Sequence, residues 1–384
     1  MMIKVAHICT SSLSHKILVD KLNLLKNKGY DIQLISSKEG YNEELMSKYD
    51  LPLRFVHMNR EINFKDDIIS IINMVKLFKQ EKYQIVHTHT AKAGIIGRVA
   101  ARLAGVPVVI HTSHGLPFYE GQSKGKYYAY YFFEKIGSLF CDAIASQNKE
   151  DMKKIEKYAP NKLVFYEGNG IDLNKLDMKN KSINNSQIIL LKEKLGIDSN
   201  KKVILVGARF EPVKDHFFLL EGLKLLKENY FDNFICLLAG DGILKNEIIH
   251  RIKEYNLDNN VKLIGFQTDI YPYIKLSDVV VLTSQKEGIP RIIMEAMTFS
   301  KPVVATNVLG TRELVRHNET GYLVEYKNVE DLASSLHLML ADEKKRIEFG
   351  NRGRKRIEDY FTEDIVVDRI VKMYEELLRA KKVW

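Results

Sequence analysis

The sequence predicts an α/β protein built from two doubly wound parallel sheets in tandem. Three observations carry that prediction. Short β-branched runs alternate with longer amphipathic stretches. The alternation stops in a polar segment and then restarts. The length, 384 residues, exceeds what one ordinary hydrophobic core organises.

In the first half the candidate strands are IKVAHIC (3–9), IQLIS (32–36), LRFVHM (53–58), QIVHTH (84–89), VPVVIHT (106–112), AIASQ (143–147) and LVFYE (163–167). Runs this short and apolar are expected to be buried parallel strands covered by helices on both faces. HKILVDKLNLLKNKG is helical in period and ends at Gly29, where a C-cap is expected. MKNKSINNSQ (178–187) reads as a linker or loop. The second series is KVILVGA (202–208), FICLLAG (234–240), VKLIG (261–265), DVVVLTS (278–284), KPVVATN (301–307) and GYLV (321–324). In the tail, Val366, Ile370, Tyr374 and Leu377 share one helical face. That helix is expected to pack back on the body, with an exposed basic membrane helix as the lesser alternative. The expected domains are 1–180 together with a helix at about 363–384, and 188–362. A cleft between two such domains is expected, with ligands at the carboxyl ends of the strands.

Composition narrows the class. Apolar residues are 45% and charged residues 28%, as in an ordinary globular protein. No apolar run approaches the roughly 20 residues that span a bilayer. The start, MMIKVAHICTSS, reads as a first strand and not a signal peptide. Cys9, Cys141 and Cys236 form no CxxC pair, which suggests a reducing, cytoplasmic setting. The net charge of +9 is uneven: residues 1–180 hold 26 Lys+Arg against 19 Asp+Glu. That excess suits an anionic lipid or a phosphorylated substrate, or is a lysine-rich surface. No basic–aromatic nucleic-acid motif occurs, and no nucleic-acid partner is expected.

Candidate chemistry follows the strands of the second half. In ARFEPVKD, Arg209 and Lys214 flank Pro212 and could converge on a diphosphate, or be solvated loop charges. In AGDG, Gly240, Asp241 and Gly242 make a tight turn that lets backbone approach a ligand. Gly265 and Phe266 could border a base, although a core phenylalanine is the plainer expectation. EGIPRIIMEAM (287–297) places Pro290 at a helix start. The amides of Gly288, Ile289, Arg291 and Ile292 then become candidate anion donors. Glu287 would project into the cleft. Glu295 could accept hydrogen bonds from a vicinal diol, or be a solvated helix residue.

Two further features stand in the first half. His87 and His89 share a strand face, and with His111 and His114 they make a metal site of imidazoles conceivable. No carboxylate or cysteine stands nearby in sequence to complete it, so no metal is expected. KGKYYAYYFFEKIGSLF (124–140) is aromatic and flanked by basic residues. It is either a core helix with tyrosines at its rim, or a surface for lipid headgroups carried by Tyr127, Tyr128 and Tyr131.

EGIPRIIMEAM, followed by KPVVATNVLGTRELV and NETGYLV, resembles the retaining glycosyltransferases of family 4, which have the GT-B fold. RFEPVK, AGDG, HGLPF (114–118) and NGID (169–172) occur in the matching order, and the likeness covers nearly the whole chain. The stretch 86–118 is similar to the branch that builds bacterial capsule and exopolysaccharide units on lipid-diphosphate-linked acceptors at the inner membrane face. The resemblance implies Glu295 on the ribose and Glu287 on the transferred sugar. It implies Arg209 and Lys214 on the donor diphosphate, with Gly288, Ile289, Pro290 and Arg291 beside the sugar or phosphate. Gly240, Asp241, Gly265 and Phe266 would border the nucleotide, and His114 the donor sugar. Ser11, Ser12, His15 and Asn169 would serve the acceptor. Two departures stand out. TSSLSH (10–15) replaces the glycine-rich loop of many relatives, and Lys214-Asp215 replaces their Lys-Gly.

The implied reaction moves a sugar, an N-acetylated aminohexose or its 6-deoxy form, from a UDP-sugar to a hydroxyl with retention. Negative charge grows on the leaving diphosphate, so preorganised cations are the main catalytic device, each worth on the order of 10²–10³ in rate. The nucleotide sugar is a substrate and no cofactor is expected. The chain has no Asp-x-Asp pair. A front-face displacement is expected, ahead of Glu287 as a covalent nucleophile. The alternatives are a UDP-sugar 2-epimerase or sugar phosphorylase on the same fold, and a non-catalytic sugar-nucleotide-binding module.

Overall fold

The computed structural model describes residues 2–41, 43, 50–59, 63–119 and 122–383. It divides into two units, Met1–Gly170 with Glu363–Trp384, and Ile171–Thr362.

The sheet of the first unit contains β1 (Ile3–Ser11), β2 (Tyr30–Ser37), β3 (Leu53–Phe55), β4 (Ile85–His89), β5 (Val108–Ser113), β6 (Ala143–Ser146) and β7 (Leu163–Tyr166). Their order is β3-β2-β1-β4-β5-β6-β7, and every pairing is parallel. Alternate side chains leave opposite faces of a strand. Val5, Ile85 and Ile110 therefore enter one core cluster, and Ala6, Val86 and Val109 the other. The first cluster is closed by the helix Glu363–Ala380, which presents Val366, Ile370, Tyr374 and Leu377 as its buried stripe. Each of these side chains contributes about 1.5–3 kcal/mol by leaving water, which makes the tail part of the first unit.

The second unit contains β8 (Lys202–Gly207), β9 (Phe234–Ala239), β10 (Val261–Gly265), β11 (Val279–Leu282), β12 (Val303–Thr306) and β13 (Gly321–Val324). Their order is β10-β9-β8-β11-β12-β13, again all parallel. In each sheet the order reverses at the first strand of the series. A doubly wound sheet opens its ligand crevice at that point, beyond the carboxyl ends of the strands.

Each of the thirteen expected strands is present within a few residues. The linker is not. Residues 178–187 are mostly helical, in the helices Leu173–Ser182 and Asn185–Lys194. The polar residues there act as caps. Asp172 accepts from the Lys175 amide, and Asn184 forms a capping box with Gln187. Ile183, between the helices, is buried. The division between the units falls at Gly170/Ile171, before these helices. The first expected helix is also broken, into Ser12–His15 and Val19–Asn27, and it stops at Gly29, whose φ is +95°.

Candidate functional site

In the second unit, the loop after β11 meets the loop after β8. Lys214 Nζ lies 2.6 Å from Glu287 Oε1, and Ser284 Oγ donates to the same oxygen at 2.5 Å. Both charged side chains are largely covered. Pro290 is the N-cap of the helix Arg291–Thr298, with φ −71°. The helix therefore begins at Arg291, and Gly288 and Ile289 belong to the loop before it. That loop is fixed from behind by Gly310, where a Cβ would stand 1.4 Å from the Gly288 carbonyl oxygen.

Glu295 is not a solvated helix residue. It is buried, accepts from Arg291 Nε at 3.1 Å, and lies 3.4 Å from the Tyr271 hydroxyl. Burial raises its pKa above the usual carboxylate range, while Arg291 and Tyr271 oppose that shift. Arg291, four residues earlier on the helix, thus has a defined partner in Glu295.

The expected convergence of Arg209 and Lys214 is not present. Arg209 is exposed and reaches back to Glu211 at 2.5 Å, while Lys214 sits on Glu287. Each cation has taken the nearest carboxylate. Asp215 explains the Lys-Asp departure: its φ is +43°, a left-handed conformation that glycine adopts freely and Asp tolerates. Its carboxylate caps the next helix at Phe218 N and accepts from Tyr326 and Lys327, which offsets the strain. Gly240 is required by close approach, since a Cβ there would stand 2.0 Å from Ala208 O. Asp241 accepts from the Gly242 amide and from Lys245, and both lower its pKa. Gly265 has φ +71°. Phe266 is 73% exposed, so the core-phenylalanine expectation fails.

The first unit holds a second polar constellation, buried at the carboxyl ends of β1, β4 and β5. His7, His87, His89 and Thr112 leave the sheet on the face covered by the C-terminal helix, by strand parity and register. His87 Nε2 is 2.6 Å from Thr112 Oγ1, and Thr112 donates to Glu167 Oε2 at 2.6 Å. Lys21 Nζ is 2.5 Å from Glu167 Oε1. His87 Nδ1 is 2.7 Å from the Tyr374 hydroxyl, which is 3.2 Å from His7 Nε2. His7 Nδ1 is 3.0 Å from His89 Nε2, and His89 Nδ1 is 2.9 Å from His114 Nε2.

Burial lowers the pKa of His7, His87 and His89 well below the ordinary value, and that of His114 to about 4. It raises that of Tyr374. Burial also pushes the Glu167 carboxyl up, but the Lys21 charge and the bonds from Lys21 and Thr112 bring it below the usual range. The ring nitrogens of His7, His87 and His89 lie within 4.8 Å of one another, so by distance alone the trio could hold a metal ion. His111 is on the opposite sheet face, against Thr88 and near Arg98.

Residues 187–356 match the family of group 1 glycosyl transferases, and residues 4–148 match the glycosyl transferase 4-like family. Among curated proteins, the chain is 31% identical to an Escherichia coli UDP-Gal:α-D-GlcNAc-diphosphoundecaprenol α-1,3-galactosyltransferase, over 99% of this chain and 98% of that one. The chain belongs to the group 1 glycosyltransferases, family 4. It is also 29% identical to the Staphylococcus aureus capsular polysaccharide biosynthesis glycosyltransferase CapM, again over 99% and 98% of the two chains. Among solved structures, Anabaena HepE with UDP and glucose superposes with a TM-score of 0.81 at 21% identity, over 97% of this chain and 100% of that one. That likeness fixes the GT-B fold.

The acceptor candidates of this glycosyltransferase are mostly buried. Ser11, Ser12 and His15 are almost fully buried. Ser12 Oγ bonds Ser36 Oγ and Ser37 O, His15 Nε2 approaches Ile35 O, and Ser11 Oγ meets Ser14 Oγ. These groups tie the loop after β1 to β2. Asn169 is part-buried, and its Oδ1 accepts from the Gly170 amide.

The aromatic segment forms the helix Lys124–Ser138. Tyr127 and Tyr131 are partly buried and pack against the core residue Phe118, and Tyr131 also meets Tyr158. Tyr128, Tyr130, Phe132, Phe133 and Ile136 are exposed on the other side of that helix, with Leu139 just beyond its end. Across all described residues, no helix is long and apolar enough to cross a membrane.

Proposed function

We propose that this glycosyltransferase moves a sugar from a UDP-sugar to a hydroxyl of a lipid-diphosphate-linked saccharide, with retention and without a metal, in capsule or exopolysaccharide synthesis. One observation carries the reading. A single loop-and-helix segment bears Glu287, paired with Lys214 of the loop after β8, and the buried, hydrogen-bonded Glu295 a turn inside its helix. Lys214 leaves Glu287 for the donor diphosphate, and Arg209 joins it there. Glu287, released, takes hydroxyls of the transferred sugar. Glu295, held by Arg291 and Tyr271, accepts from the ribose diol.

As the glycosyl–phosphate bond breaks, Lys214 and Arg209 stabilise the charge that grows on the diphosphate. The leaving phosphate takes the proton of the acceptor hydroxyl. His114 receives a hydroxyl of the donor sugar. The acceptor class is supported by the E. coli relative, whose name specifies a diphosphoundecaprenol-linked substrate. A Campylobacter jejuni relative, 31% identical over 54% of this chain, is named as transferring N-acetylgalactosamine to such a lipid. An N-acetylated aminohexose is the sugar we assign. The exposed aromatic side of the helix Lys124–Ser138 meets the inner face of the cell membrane, where that acceptor resides.

Calorimetry with UDP and GDP tests the donor first, and preferential GDP binding would reject it. Incubating UDP-sugars with and without an undecaprenyl-diphosphate-linked saccharide tests the reaction. Conversion without acceptor would mean an epimerase, and affinity without turnover a binding module. An inverted linkage in the product would reject retention.

A further inference from the structure

The hydrogen bonds of the buried histidines can be assigned a direction by counting protons. Glu167 is ion-paired with Lys21, and an ionised carboxylate only accepts. Thr112 therefore gives its single hydroxyl proton to Glu167 and must accept from His87 Nε2–H. A neutral imidazole carries one proton, so His87 Nδ1 accepts, and the Tyr374 hydroxyl donates to it. That phenol has no second proton, so its oxygen accepts from His7 Nε2–H. His7 Nδ1 then accepts from His89 Nε2–H, and His89 Nδ1 from His114 Nε2–H.

Every donor in the series points towards Glu167. The last ring, His114, is left with a lone pair at Nδ1, a buried atom with no hydrogen-bond partner. The Gln147 side chain interacts with the ring and raises its pKa, but no hydrogen bond of ordinary geometry reaches Nδ1. A buried acceptor without a partner calls for one.

We propose that this one-way series locks His114 as the Nε2–H tautomer, so that its Nδ1 can only accept a hydrogen bond from a hydroxyl of the bound ligand. Tyr374, His7, His87 and His89 are then positioning residues, and the C-terminal helix supplies the central one. The inference rests on the assignment of His114 to the sugar. Its chemical consequence is selectivity for a neutral hydroxylic group. A locked Nδ1 cannot donate to a carboxylate or phosphate oxygen, and a deoxy or O-methyl ligand leaves it unpaired.

Burial supports the neutral state on which the count depends, because it opposes the charged form of each ring. The metal alternative is weaker on geometry. Both nitrogens of His7, His87 and His89 already have hydrogen-bond partners. An ion would have to break at least two of those bonds.

The test is a two-bond ¹H–¹⁵N correlation on the full chain labelled with ¹⁵N-histidine, assigned by single substitutions. The expected result is a protonated Nε2 and a bare Nδ1 for His7, His87, His89 and His114 at neutral pH. Tyr374→Phe removes one donor and one acceptor at once. It should mix the tautomers of His7 and His114 and lower kcat by roughly tenfold or more, the cost of one to two lost hydrogen bonds. UDP affinity and the cooperative thermal transition should remain. Glu167→Gln, whose amide can donate, should also lose the fixed sense.

An Nδ1–H tautomer or an imidazolium in any of the four rings would overturn the lock. So would tautomers unmoved by Tyr374→Phe, or tight zinc binding that His7→Ala abolishes. Fixed tautomers beside a fully active His114→Ala enzyme would support the lock while rejecting the sugar-facing role of His114.

Discussion

Lys214 Nζ lies 2.6 Å from Glu287 Oε1, so the cation proposed for the donor diphosphate and the carboxylate proposed for the sugar are each other's partner. The pair satisfies both charges, because each covered charge needs a counter-ion. In the proposed reaction a diphosphate exchanges the partner of Lys214 and frees Glu287.

Substituting either member should therefore impair the chemical step more than donor binding. Glu287→Gln and Lys214→Ala should each lower kcat on the order of 10²–10³-fold. Because each substitution also strands the other charge, the double variant should be clearly less impaired than the product of the singles. Steady-state kinetics on the three variants decides it, and strictly multiplicative losses would show that the pair does not act as a unit.

Glu295 predicts a trade between stability and binding. Burial raises its pKa in the folded state above that of the unfolded chain. The folded state thus holds the proton to higher pH. The contribution of this group to stability is largest below the ordinary carboxylate pKa and falls as pH rises through the raised one. Glu295→Gln should remove that fall and raise the thermal midpoint at neutral pH relative to wild type. It should also weaken UDP binding roughly tenfold or more, since hydrogen bonds to a charged acceptor are each worth about 1.5–3 kcal/mol. Scanning calorimetry and UDP titration on one preparation measure both effects. Unchanged UDP affinity would move Glu295 out of the ribose site.

Much of the fold was legible because it is written in local patterns. The thirteen strands follow from short β-branched runs, and the C-terminal stripe from a period that places Val366, Ile370, Tyr374 and Leu377 together. The segment 178–187 misled because the same polar residues make both loops and helix caps, and only the buried Ile183 and the capping geometry separate the cases. Glu287 and Glu295 were legible through their shared helix start. The partners of His87 were not. His7 and Tyr374 reach it, and Glu167 reaches its partner Thr112, by strand register and tertiary packing across 80, 287 and 55 sequence positions. One sequence carries no record of register. The plainer expectation of a core Phe266 failed because burial of hydrophobic residues is a one-way rule, and single exposed ones are common.

The helix Lys124–Ser138 predicts a division among its aromatics. Tyr127 and Tyr131 are partly buried and pack against the core, whereas Tyr128, Phe132, Phe133 and, just past the end, Leu139 are exposed. A contiguous apolar patch of this kind marks an interaction surface. Lysines 124, 126 and 135 are exposed on the same helix and suit an anionic leaflet. Changing Tyr128, Phe132, Phe133 and Leu139 to Ser should abolish sedimentation with phosphatidylglycerol vesicles and lower turnover of the lipid-linked acceptor, with UDP binding and thermal midpoint retained. Tyr127→Ser with Tyr131→Ser should instead lower the midpoint, by about 2 kcal/mol or more of stability. Full vesicle binding by the first variant would leave the membrane assignment without support.

Gly310 makes the sharpest demand on the loop that carries Glu287. A methyl group there would stand 1.4 Å from Gly288 O and 2.3 Å from Gly288 C, and neither backbone atom can swing aside as a side chain would. The loop must therefore shift by an ångström or more, and Glu287, one residue before Gly288, must shift with it. A displacement of that size in a positioned catalytic group costs about 10² in rate. Gly310→Ala should show that loss in kcat while the protein still folds. Gly353→Ala is the matched control, because its methyl would meet only the flexible Met297 side chain, at 3.4 Å. It sits inside the helix Glu343–Tyr360, where replacing Gly by Ala favours the helix by roughly 0.5–1 kcal/mol. Near-wild-type turnover in Gly310→Ala would mean that the loop adapts freely, and the placement of Glu287 would then carry no catalytic weight.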